Sequence, residues 1–188
     1  MRTIMRMSVA AVTSVLLFQQ VPASQAQTAP AGRGGATRPA SATQHADSTL
    51  AQLMKGVFFP SSNVIFAAQN VNPADVPPAK DPAAATDPMT NAYGKWEAVE
   101  NSALAIAEGA NLLTISGRKC SNGRPVPMTN PDWAKLVQGV REAGLKAYAA
   151  AKAKNQDKIL DAADTMTTAC ANCHDKYREK ASAADRCK

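Results

Sequence analysis

Five consecutive residues carry the densest chemistry in this chain: Cys170-Ala171-Asn172-Cys173-His174. Cys-x-x-Cys-His is the attachment signature of covalently bound haem. On a helix the two thiols lie three apart and share a face, so each can add to one vinyl group along the same edge of a porphyrin. His174 lies one residue past the second thiol and four past the first. From there it can reach under the ring and offer a nitrogen to iron as the proximal ligand. Three other readings compete for the two thiols. A thioredoxin-like redox pair needs its cysteines at the start of a helix, after a strand, and here they fall late in a helical pattern. A zinc site needs about four ligands, and the one other histidine is His45, far upstream. The last is a plain disulfide.

The elements that must position this motif are helical. Hydrophobic residues make up 45% of the chain, many of them alanine, and aromatics only 5%, a balance that favours helices over strands. The last helix is expected to start near Asn155, with Ile159, Ala163, Met166, Cys170, Cys173 and Tyr177 on one stripe. Two helices precede it, each announced by a cap residue and a proline. Asp87-Pro88 opens one that runs to Gly117, and Asn130-Pro131 opens one carrying Trp133, Leu136 and Val140. The first helix is expected from Asp47 or Ser48, with Leu50, Leu53, Met54 and Val57 at helical spacing, until Pro60 stops or kinks it. Ser61 to Ala68 would then form a separate short piece, and the prolines between Asn70 and Asp87 mark a loop. The expected fold is all-α: an antiparallel four-helix bundle with a short or broken first helix.

The N-terminus reads as a secretory signal peptide over residues 1–26. Arg2 and Arg6 precede a short apolar core from Val9 to Phe18, and Ser24-Gln25-Ala26 fits a cleavage site. The apolar stretch is shorter than the roughly 20 residues needed to span a bilayer. Residues 27–46, rich in Ala, Thr, Gln, Gly and Pro, read as a disordered leader, leaving 47–188 as the folded domain. Export makes a bacterial periplasm the expected location, where disulfides are permitted. Cleavage removes two arginines from a formal charge of +6, so the mature protein is mildly basic. No basic run with interleaved aromatics suggests nucleic acid, and no further segment suggests a membrane.

The last helix, through Asp175-Lys176-Tyr177-Arg178, resembles the C-terminal helix of the cytochrome c′ and cytochrome c556 group, four-helix-bundle proteins with a late haem motif. The likeness is strong over residues 155–180 and only architectural over 87–153. It implies that Cys170, Cys173 and His174 hold the haem and that Arg178, four after His174, stands beside the proximal ligand or a propionate. It also implies two possible distal sides. In the c556 type a first-helix methionine ligates iron, and Met54 matches it, giving a low-spin centre suited to electron transfer. In the c′ type an apolar residue leaves iron five-coordinate and open to NO or CO. Met89 and Met166 fit core positions better, and His45 is a weaker candidate for iron. The chain departs from the group at Leu50, where an arginine is common, and at Pro60, where the first helix is usually unbroken. Related bundles often form homodimers.

Two further features complete the reading. Cys120 and Cys187 fall at the same end of an up-down-up-down bundle and are expected to form a disulfide. Arg118, Lys119 and Arg124 cluster in one loop near the haem end, where they could steer an acidic redox partner protein. No Ser/His/Asp set is recognisable. The expectation is a periplasmic electron carrier that does no bond chemistry itself, with a gas-binding haem protein as the alternative.

Overall fold

Helix formation begins at Thr49, whose side chain accepts from the Gln52 N–H while the Gln52 side chain reaches back to the Thr49 N–H. This reciprocal cap satisfies two donors that a helix start leaves open. The computed structural model describes residues 44–188, so the expected signal peptide and most of the expected leader lie outside the described residues. The cap opens α1 (Leu50–Leu53), which passes into a π-helical stretch (Met54–Phe58) and then α2 (Phe59–Asn70) without a break.

Pro60 therefore neither stops the first helix nor leaves a separate piece behind it. The Phe59 N–H bonds to the Met54 carbonyl, five residues back. Proline then occupies the first turn of α2, where its missing N–H costs little.

The remaining long helices are α3 (Lys95–Leu112), α4 (Trp133–Lys152) and α5 (Gln156–Tyr177). The expected start of the second helix at Asp87-Pro88 is wrong by about two turns. The Asp87 side chain accepts from the Met89 N–H, and the Asn91 side chain accepts from the Tyr93 N–H, so both serve local turns that compete with a helix. Gly94 closes this loop so tightly that a β-carbon there would lie 2.5 Å from the Met89 carbonyl oxygen. Helix α4 starts at Trp133, a turn after Asn130, whose carbonyl accepts from the Trp133 N–H. Helix α5 starts as expected, with the Asn155 side chain accepting from the Lys158 N–H.

All the named elements among the described residues are helical, and one isolated bridge pairs Lys119 with Pro125. Helix α3 packs on α4, α4 on α5, and α2 on both α3 and α5. Ile65, Val99, Ile106, Ile159 and Met166 are fully buried between them. At the α3–α4 crossing a β-carbon on Gly144 would lie 2.8 Å from the Ala107 nitrogen and 3.0 Å from the Ala103 oxygen. Only a residue without a side chain lets the two backbones approach so closely. No described helix is long and apolar enough to cross a membrane.

Candidate functional site

Helix α5 presents one face to the core. Ile159, Ala162, Ala163 and Met166 are buried along it, and the same face continues through Cys170 and Cys173 to buried Tyr177. The two thiols are half-buried, packed against the core and not bridged to each other. Burial raises the pKa of Cys170, with Arg178 opposing. Burial, then Cys170 and Asp132, push Cys173 up to about 11. These are neutral thiols at neutral pH, unlike the depressed thiolates of a reactive redox pair. Burial and the Arg178 charge lower the pKa of His174, against Glu179 and Asp175. Its imidazole is accordingly neutral at pH 7, with a lone pair to give.

Cys170, Cys173 and His174 line a cavity of about 690 Å3. That size falls within the roughly 300–1,000 Å3 of small-molecule and cofactor sites. Its walls are largely apolar, with Phe58, Phe66, Ile106, Leu136 and Val140 among them. Met54 lines the same cavity from the opposite part of the chain, at the first residue of the π-helical stretch. Such π-bulges recur at functional sites. Here the wide turn is seated by Gly109 of α3, whose missing side chain makes room for Val57 and Phe58. Met166 also borders the cavity, but from α5 itself, on the same helix as His174.

Beside the cavity, polar contacts tie α5 to the start of α4. The Tyr177 hydroxyl donates to Asp132 at 2.8 Å and accepts from the Asn130 side chain at 3.2 Å. Lys176 pairs with Asp132 at 2.6 Å and holds its carboxyl below the usual carboxylate range. The Tyr177 ring meets Trp133 edge-on at 5.2 Å, and the Trp133 indole N–H donates to the Leu113 carbonyl. These contacts fasten the end of α5 to the start of α4, one turn from His174. Arg178, exposed at the end of α5, lines the cavity and pairs with Glu179. Its backbone N–H donates to the His174 carbonyl at 2.8 Å.

Met89 belongs to the core as expected, His45 stands clear of the cavity, and Arg118 departs from its expectation. His45 pairs with Asp47 on the surface, outside the cavity. Met89 is buried in the loop before α3, where its carbonyl accepts from the Lys95 N–H. Arg118 does not join Lys119 and Arg124 on the surface. It is 4% exposed and donates to the Ser48 carbonyl, the Ser48 hydroxyl and the Leu112 carbonyl. Cys120 and Cys187 do form a disulfide, and both border the cavity. The surroundings of Tyr177 and the fold of the tail were not read from sequence. The signal for the Tyr177 contacts is Asp132, which directly follows the Asn130-Pro131 helix start. Among the described residues no group of three or more His, Cys, Asp or Glu side chains gathers as a metal cage. No family model, curated protein or solved structure matches this chain.

Proposed function

We propose that this chain is an exported c-type cytochrome of the cytochrome c′ and c556 kind, carrying electrons on one haem. The carrying observation is that Cys170, Cys173 and His174 border an apolar cavity of cofactor size into which a methionine of another helix also opens. In this reading the four long helices, with α1, the π-helical stretch and α2 counted as one, form an antiparallel bundle. The three residues between Lys152 and Gln156 favour it, because so short a connection turns neighbouring helices back on each other.

The residues present fit the group. Cys170 and Cys173 would hold it through thioether bonds, which are uncharged and suit a half-buried apolar wall. His174 would be the proximal iron ligand and Met54 the distal one. When bound, haem supplies reversible one-electron exchange. The chain's own part is to hold the porphyrin at a fixed orientation, exclude water from its faces with aliphatic and aromatic walls, and keep the His174 imidazole neutral. The Tyr177–Asp132–Lys176 contacts hold the end of α5, and with it His174, against α4. Export to a periplasm, and delivery of the electron to a partner with an acidic surface near Lys119 and Arg124, belong to the same proposal.

Ligand spectra test it. The reduced holoprotein is expected to be low-spin and to resist CO at neutral pH, and Met54→Ala is expected to bind CO rapidly. Rapid CO binding by the unaltered protein would remove Met54 from iron and favour a five-coordinate, gas-binding haem.

A further inference from the structure

We propose that Arg186 is the cation that pairs with a carboxylate side group of the porphyrin, and that the C-terminal tail folds back to carry it there; this rests on the haem reading above. Residues after a last helix usually fray unless something ties them down. Here the tail is tied at four points. Cys187 is bonded to Cys120, and its N–H donates to the Tyr177 carbonyl at 2.9 Å. The Asn122 side-chain amide reaches the Ala183 carbonyl at 3.0 Å and the Arg186 carbonyl at 3.1 Å. Asn122 is itself set by the Arg124 N–H, which donates to its side-chain oxygen. Cys187 also takes a left-handed backbone conformation, φ 61°, which a residue with a β-carbon adopts only when its surroundings hold it there.

The consequence of these ties is that Arg186 and Cys187 become part of the cavity wall. The charged side chains on that wall do not balance evenly. Arg178 is occupied by Glu179. In the tail, Asp185 is engaged by Ser182 and Lys188. Arg186 has no carboxylate partner among the described residues, although it borders the cavity. A guanidinium offers two parallel N–H groups to one carboxylate, the geometry that a porphyrin's acidic side groups would meet. Lys55, the other cation on the wall with no such partner, is a point charge on a flexible stem.

The test is the reduction potential of the holoprotein at low ionic strength. Removing a positive charge beside the porphyrin favours ferric iron. Arg186→Gln is expected to lower the ferrous-to-ferric ratio at a fixed applied potential by roughly three- to tenfold, tenfold being 59 mV for one electron. Arg186→Lys should retain most of the native ratio. Lys188→Gln removes the same charge from the same tail, away from the cavity wall, and should leave the ratio unchanged. Replacing Cys120 and Cys187 together by serine should reproduce the Arg186→Gln shift by releasing the tail. Equal shifts for Arg186→Gln and Lys188→Gln, or no shift in either, would overturn the assignment of Arg186 while leaving the haem in place. A colourless protein would overturn the haem reading and this inference with it.

Discussion

Arg118 shows how far a single side chain can depart from what its neighbours in sequence suggest. A loop with three cations within seven positions reads as a solvated patch, because loop charges usually are. The deciding partner is Ser48, seventy positions upstream, whose carbonyl and hydroxyl receive the guanidinium at 2.7 and 2.8 Å. Together with the Leu50 N–H, which donates to the Lys119 carbonyl, this fastens the start of the first helix to the loop after α3. Arg118→Ala would leave part-buried acceptors without their donor, and hydrogen bonds to charged groups are worth about 1.5–3 kcal/mol. The expected outcome is a loss of about 2–4 kcal/mol in denaturant unfolding, against almost none for Arg124→Ala. The Cys-x-x-Cys-His motif was legible for the opposite reason. Cys170, Cys173 and His174 need only helical spacing to come together, so nothing distant has to be known.

At the scale of elements, periodicity placed α4 and α5 well, because their apolar stripes are regular and the turn between them is short. It failed where local polar contacts compete with the helix, as at Asp87 and Asn91, and where the helix changes pitch. The π-helical stretch has no sequence signature of its own. It exists because widening the turn lets Pro60 follow without a break while Phe58 and Val57 settle over Gly109. The α3–α4 crossing makes a sharper demand. A β-carbon on Gly144 would collide with the backbone of Ala103 and Ala107. Overpacking of this kind costs about 1–3 kcal/mol. Gly144→Ala should therefore lower the unfolding midpoint clearly, whereas Gly139→Ala, where nothing lies within 4 Å, should not. Because glycine in a helix interior is itself unfavourable, the second change is expected to raise the midpoint slightly.

The molecule as a whole is closed by the Cys120–Cys187 bridge, which spans 67 residues of sequence. A loop of that length, constrained in the unfolded chain, corresponds to about 4 kcal/mol by loop entropy. The pairing is the one expected of an up-down-up-down helix order, which would put both cysteines at one end. What topology did not disclose is that the bridge, the tail and the Cys-x-x-Cys-His motif all border one cavity, so that Arg186 and Cys187 wall the site instead of trailing from it. The most direct measurement on the central claim is the intact mass of the mature protein, exported from a host that attaches haem, read with its visible spectrum. A red protein heavier than its polypeptide by one haem, with the addition lost when Cys170 and Cys173 are both changed to alanine, is the expected result. A colourless protein at the bare polypeptide mass would contradict it.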